Sequence, residues 1–328
     1  MFDVTTIGSA TQDIYVFSRQ FHFHEDPRRK SGLIEWFAFG TKIELDDIVF
    51  EVGGGATNAA YTFKNQGLKT ACVARIGNDG AGFDVQRSLK QAGITDHLLV
   101  DRRLRTGSGV IFLGRTGERT ILVYRGATKN FKADDIKKSW LTHTRWVYIT
   151  SLGGDIVALE RVVRLAHSHS VKISFNPGKR EIDAHPGRVQ RLLRHCTVVQ
   201  LNREEAAALT GRAYANIRGM FRQLREWTPG IILITEGDRG AYYSVDNTAW
   251  RVILNAIPGK DMTGAGDAFG SGFVAGLIRF KGDVTRALRL ALNNAASTIK
   301  QIGAKNGLLK RNDRLNHVTY TTKQVINL

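Results

Sequence analysis

Two glycine-rich clusters hold the residues of this chain best suited to chemistry. The later one, Asp261-Met262-Thr263-Gly264-Ala265-Gly266-Asp267-Ala268-Phe269, leads into a segment with apolar residues at helical spacing. Small residues at a helix start leave several backbone N–H groups free, and the helix dipole adds partial positive charge. Gly264, Ala265 and Gly266 could therefore seat an anion such as phosphate. Asp267 is out of place in such a seat unless its task is to take a proton from a hydroxyl that attacks the bound group. A helix cap is the plainer alternative. The earlier cluster, Gly53-Gly54-Gly55-Ala56-Thr57-Asn58, lets the backbone approach a ligand closely, and the Asn58 amide can donate and accept in the same space. A flexible turn before a helix would have the same composition.

Other phosphate-binding fingerprints are excluded directly. A Walker A loop needs G-x-x-x-x-G-K-[ST], yet Gly259-Lys260 is followed by Asp261 and Leu254 stands where the first glycine belongs. Gly107-x-Gly109 and Gly264-x-Gly266 are each followed three residues later by Phe, so no dinucleotide fingerprint is present.

These clusters need a scaffold, and the apolar pattern supplies one. Strand-like runs at Val4–Ile7, Ala71–Ile76, Trp146–Thr150, Val171–Phe175, Val198–Leu201 and Ile231–Thr235 alternate with helical patterns. The helices are expected at Ala56–Gln66, Gly82–Ala92, Ile156–His167, Ile217–Trp227, Gly264–Phe280 and Val284–Ile302. Alternation of this kind predicts an α/β chain with a mainly parallel sheet covered on both faces. Residues 14–51 and 106–126 break the rhythm. The run 108–124 reads as a hairpin turning at Thr116-Gly117, and strands without helices suggest a small β-sheet lid over the single domain 1–328.

Composition narrows the classes. Hydrophobic residues make up 42% of the chain and charged residues 23%, which is ordinary globular usage and excludes a disordered chain. Cys72 and Cys196 are the only cysteines and form no CxxC pair, which points to a reducing compartment. No segment reaches the ~18 uninterrupted apolar residues of a membrane span, so a cytoplasmic protein is expected. The formal net charge of +17 keeps a second class open, a nucleic-acid-binding or regulatory protein. The basic residues are dispersed, however, and the longest run is Arg28-Arg29-Lys30. His22-x-His24-Glu25-Asp26 has metal-ligand types but no second cluster, and reads as a solvated loop.

Together, the two clusters and their order resemble the signatures of the ribokinase-like (PfkB) carbohydrate kinase family. The first matches at Gly53-Gly54, Asn58, Ala60, Gly67 and Gly77, and the second from Asp261 to Phe273, with Met262 where Thr, Pro, Ser or Val is usual. Asn202-Arg203-Glu204-Glu205, Thr235–Gly240 and Ile302-Gly303-Ala304 resemble further family motifs, so the likeness runs from about residue 4 to 310.

The resemblance implies a three-layer αβα sandwich with a lid. It also implies phosphorylation of a primary hydroxyl of a sugar or nucleoside by ATP, with Asp267 as general base and the amides of Gly264, Ala265 and Gly266 as the anion hole. Asn202 and Glu205 would act on Mg²⁺ and the phosphates through water, although their spacing also suits a helix cap. Thr235, Gly237 and Asn294 would line the ATP pocket, and Asp261 and Thr263 would bind a monovalent cation such as K⁺. On the substrate side the resemblance implies Asp13, Gly53, Gly54 and Asn58. A carboxylate at Asp13 can accept from two vicinal hydroxyls. Residues 20–50 look like an enlarged lid insertion, in which Phe37 and Phe39, with Tyr124 of the hairpin, could stack on a base or simply pack the lid. A homodimer joined through the lid is a further expectation.

Overall fold

A computed structural model of the chain describes all residues except 27, 29–32, 39, 114–118, 246, 256 and 257. The strands are β1 (Phe2–Ser9), β2 (Thr11–Phe17), β3 (His22–Glu25), β4 (Leu33–Trp36), β5 (Asp47–Gly53), β6 (Thr70–Gly77), β7 (Thr95–Asp101), β8 (Gly107–Leu113), β9 (Arg119–Tyr124), β10 (Thr144–Ile149), β11 (Lys172–Phe175), β12 (Val198–Asn202), β13 (Ile231–Thr235), β14 (Ala241–Val245), β15 (Thr248–Leu254) and β16 (Tyr320–Asn327). The helices are α1 (Gly55–Asn65), α2 (Gly80–Gln91), α3 (Lys138–Thr142), α4 (Ile156–His167), α5 (Lys179–Ala184), α6 (Pro186–Leu193), α7 (Arg203–Thr210), α8 (Ile217–Trp227), α9 (Ala265–Arg279) and α10 (Val284–Thr298).

The large sheet has ten strands in the order β16-β15-β14-β13-β12-β11-β10-β1-β6-β7. Neighbours from β7 to β13 run parallel, and β14 to β16 add an antiparallel edge. Alternate side chains of one strand enter two cores. Val147 and Ile149 pack with α4, α6 and α8, whereas Trp146 and Tyr148 pack with α1, α9 and α10. Burial on both faces explains why these strands read as near-continuous apolar runs, and the arrangement is the expected αβα sandwich.

The small sheet, ordered β5-β2-β8-β9, forms the lid. Its register places Asp13 opposite Glu51 on one side and Gly109 on the other. The β8–β9 pairing realises the expected hairpin, whose Thr116-Gly117 turn lies outside the described residues. Within residues 20–50, β3 and β4 form a separate two-stranded hairpin. There His22 stacks on Trp36, and Arg28 pairs with Asp26 at 2.8 Å, while Arg29 and Lys30 lie outside the described residues. No metal-binding group of three or more His, Cys, Asp or Glu occurs among the described residues. Phe37 packs edge-on against Phe21 at 5.6 Å and lies 5.4 Å from Phe112; Tyr124 is exposed, and Phe39 lies outside the described residues.

Several features differ from the expectation, among them strand β7 and the short helices α3, α5, α6 and α7, which the apolar pattern does not single out. The helix expected to reach Ile302 ends at Thr298, because the Ile299 carbonyl accepts from the N–H groups of both Lys260 and Asp261. The chain is thereby pulled into a turn beside the second glycine cluster. The edge strands β14, β15 and β16 were not foreseen. Half-exposed strands have a weak apolar signal, and their pairing follows from the neighbouring edge. No helix among the described residues is long and apolar enough to cross a membrane.

Helices α9 and α10 lie close because α9 presents glycines to α10. A Cβ at Gly276 would lie 2.9 Å from the Ala287 Cβ. Gly276→Val should destabilise the protein by about 1–3 kcal/mol through overpacking. Urea denaturation checks this, and a parental midpoint would contradict it.

Candidate active site

The first glycine cluster is the junction of β5 with α1, and steric room explains its composition. Gly54 has φ +99°, and a Cβ there would meet the Ser9 carbonyl oxygen at 2.5 Å. A side chain at Gly53 would strike the Asp13 carboxylate. The turn is pinned by Ser9 Oγ, which accepts from Gly55 N at 2.9 Å, and by Thr57 Oγ1, which donates to the Gly53 and Gly54 carbonyls at 2.6 and 2.8 Å. This places Asn58 on the first turn of α1, where Nδ2 donates to Asp267 Oδ2 at 2.9 Å. Asn58 Oδ1 is buried with no hydrogen-bond partner among the described residues.

The second cluster starts α9. Gly264 has φ +76°, and a Cβ there would collide with Ala304. The Gly303-Ala304 turn is therefore packed against the helix start. The first helical bond runs from Ala268 N to Gly264 O at 2.8 Å. The N–H groups of Ala265, Gly266 and Asp267 precede it, and Ala265 makes only a long 3.4 Å contact with Met262 O. Two residues that sequence reasoning missed hold this turn. Gln200 on β12 donates to the Gly266 carbonyl at 2.8 Å and accepts from the Tyr148 hydroxyl at 3.2 Å. Both are buried polar groups on apolar strands, a visible but ambiguous signal. Gly270 is required because any side chain there would strike Gln200.

Electrostatics separate the carboxylates. Burial raises the Asp267 carboxyl above the ordinary range, and the Asn58 amide offsets part of that rise. Asp13 is pushed up to about 6, chiefly by burial; Thr11 and Lys305 oppose this, and Asp267 and Asp261 add to it. Thr11 donates to Asp13 at 3.1 Å. Lys305, also missed, directly follows the Gly303-Ala304 turn. Its ammonium lies 4.8 Å from the centre of the Tyr61 ring and is lowered to about 8 by burial, against the pull of Glu51 and Asp13. The charge of Lys305 thus acts on the substrate-side carboxylate.

Asp261 is fully buried and accepts from Thr263 N at 2.8 Å and Gly303 N at 3.0 Å. The hydroxyls of Thr263 and Tyr15 are buried next to Asp261; neither makes a well-aligned hydrogen bond among the described residues, yet Thr263 and Asp261 both lie near enough to act on the Tyr15 phenol. Burial, and then the charge of Asp261, raises the Tyr15 phenol. Buried oxygens grouped in this way suit a hard cation bound by oxygen.

On the other side of α9, Asn202 ends β12 and caps α7. Asn202 Oδ1 accepts from Glu205 N, and Glu205 Oε2 accepts from Asn202 N, each at 2.8 Å. The cap that their spacing also suits is therefore formed. The same two residues also line a cavity with Lys179 and Asp183. Burial pushes the Glu205 carboxyl up to about 7. A second cleft has Thr235, Gly237, Ala265 and Gly266 in its wall, over a floor of Leu254, Met262, Phe269, Leu292, Ala296 and Ile299. An apolar slot that ends at a helix N-terminus suits a flat ring attached to phosphates. Asn294 does not line it. That side chain is turned into the core, where it donates to Ala268 O and accepts from Leu309 N, each at 2.9 Å, because α10 buries that face against α1 and α9.

Gly270→Ala should displace Gln200 and loosen the α9 turn, lowering turnover and costing about 1–3 kcal/mol of stability. Thermal denaturation and steady-state kinetics on one preparation check both, and parental values of both would contradict the role given to Gln200.

Comparison with known proteins agrees with this geometry. The chain is 27% identical over 322 residues to the ribokinase of Bacillus subtilis, covering 95% of this chain and 98% of that protein. It is 27% identical over 233 residues to a nucleoside kinase of Methanothermobacter thermautotrophicus, covering 69% and 72%. A solved E. coli structure described as a ribokinase II in complex with ATP and Mg²⁺ superposes with a TM-score of 0.76 at 20% identity, over 94% of this chain and 96% of that one. Residues 1–311 match the model of the pfkB family carbohydrate kinases, and the chain belongs to that family, as a sugar or nucleoside kinase that transfers phosphate to an alcohol.

Proposed function

We propose that the chain phosphorylates a primary hydroxyl of a ribose-like sugar or a nucleoside with ATP, with Asp267 as the general base. The Asn58–Asp267 hydrogen bond carries this reading, since it joins the substrate-side cluster to the phosphate-side cluster. Asp13 and Asn58 would orient the substrate hydroxyls, Asn58 through its unpaired Oδ1, while Gly53 and Gly54 let the ligand approach the backbone. Asp267 would then take the proton as the hydroxyl oxygen bonds to the terminal phosphorus of ATP, and the bond from that phosphorus to the bridging oxygen breaks to release ADP. The amides of Gly264, Ala265 and Gly266 would hold the charge that develops on the transferred group. Burial, by raising its proton affinity, makes the Asp267 carboxylate a stronger base than an exposed one.

Thr235 and Gly237 would line the adenosine slot. Asn202 and Glu205 would hold Mg²⁺ through water, and that ion would neutralise charge on the phosphates. Asp261 and Thr263 would hold a monovalent cation such as K⁺, which the grouping of buried oxygens from Asp261, Thr263 and Tyr15 supports. Residues 1–328 would act as one kinase domain. Its lid could pair two copies in a homodimer, since Leu122, Val123 and Tyr124 on β9 and Phe50 on β5 expose apolar side chains. The buried free thiols Cys72 and Cys196 suit a reducing compartment such as the cytoplasm.

Purified protein should form ADP with at least one member of a panel of pentoses, hexoses and nucleosides. Asp267→Asn should lower kcat by about 10²–10⁴-fold with the KM for ATP nearly unchanged. ADP formation that is equal in the variant would remove Asp267 from the chemistry. Because only the ionised Asp13 carboxylate accepts from two hydroxyls with both oxygens, KM for the accepted substrate should fall as pH rises through about 6 and level off above it. A KM that is flat from pH 5 to 8 would contradict this.

A further inference from the structure

Two residues inside the nucleotide-side motifs form a pair that the proposed chemistry leaves unused. Asn202 and Thr235 are register partners at the ends of the parallel strands β12 and β13. The residues that directly follow the two strands are Arg203 and Glu236, and their side chains form an ion pair across the two strand exits. Their side chains are only 13% and 2% exposed. Three further groups close around the carboxylate: the Tyr242 hydroxyl donates to Oε2 at 3.3 Å, the Tyr214 hydroxyl reaches Oε1 at 3.5 Å, and Arg239 Nε lies 3.4 Å from Oε1. Arg203 is itself held. Its Nε donates to the Tyr214 carbonyl at 2.8 Å, and its guanidinium lies over the Tyr214 ring, 4.6 Å from the centre. Glu236 lies within the turn that carries Gly237, and its backbone N–H donates to Gly240 O at 2.9 Å.

A buried ion pair contributes little net stability, because desolvation offsets the attraction, but it specifies geometry when both partners are fully hydrogen-bonded. The geometry specified here is the separation of two functional elements. One is the α7 start with Asn202 and Glu205, and the other is the turn 235–240 at the wall of the apolar cleft. We propose that Arg203 and Glu236 are positioning residues that lock the phosphate-side helix start to the adenosine-side turn, so that one nucleotide is gripped at both ends. This rests on the reading of the cleft as the ATP site.

The test is calorimetric titration of the full chain with Mg²⁺–AMP-PNP and, separately, with adenosine. Loss of the lock should weaken the ligand that spans both elements far more than the one that touches only the turn. Arg203→Met should weaken Mg²⁺–AMP-PNP binding by about tenfold and adenosine binding by less than about twofold. Arg203→Lys should recover part of the loss. Adding Glu236→Gln to Arg203→Met should cost nothing further, since the two act as one unit. Glu236→Gln alone, which keeps the side-chain shape, repeats the test should Arg203→Met fail to fold. Equal losses for both ligands would mean that the turn has merely loosened, and unchanged Mg²⁺–AMP-PNP binding would mean that the pair positions nothing; either result overturns the proposal. Failure of the parent protein to bind Mg²⁺–AMP-PNP would instead overturn the ATP-site reading beneath it.

Discussion

The hydrogen bond from Asn58 to Asp267 is the contact on which the site depends. It joins side chains 209 residues apart, one on the first turn of α1 and one on the first turn of α9. A buried carboxylate without a donor would carry a large desolvation cost, so the amide both orients Asp267 and partly offsets the rise in its proton affinity. Everything that sets this distance belongs to the sheet. β5 delivers α1, β12 supplies Gln200 to seat the α9 turn, and small residues let α9 approach closely.

Close approach is the second constraint. Gly53, Gly264 and Gly270 each stand where a Cβ would strike a functional neighbour: the Asp13 carboxylate, the Ala304 turn and the Gln200 amide. The glycines make room for side chains that chemistry requires, so flexibility alone does not explain them. Such positions tolerate no larger residue, which is why the two clusters stand out in the chain.

The charge distribution carries a related lesson. A chain of net charge +17 gathers carboxyls at its centre: Asp13, Asp261, Asp267 and Glu205. Burial raises Asp13, Asp267 and Glu205, and Lys305 is the cation that acts on Asp13. Clusters of carboxyls whose proton affinities are spread by burial are suited to dividing tasks between binding and proton transfer. The net charge, a global sum, says nothing of this local arrangement.

The sequence by itself determined the inner strands, the longer helices and the glycine positions. Ile231–Thr235, Ile156–His167 and Ile217–Trp227 are legible to the residue because β-branching and helical periodicity act over a few neighbours. The likeness of its two clusters to a known family pointed to the fold and to phosphate transfer. Only the tertiary structure decided which groups meet. Asn294 sits in a suitable stretch of sequence, yet its helix turns it into the core. Lys305 sits in an unremarkable one, yet the chain carries it over the Tyr61 ring, where its charge acts on Asp13. The α10 helix stops at Thr298 because Lys260 and Asp261, distant in sequence, claim the next carbonyl. Contacts of this kind depend on strand order and helix packing, which no short window of sequence contains.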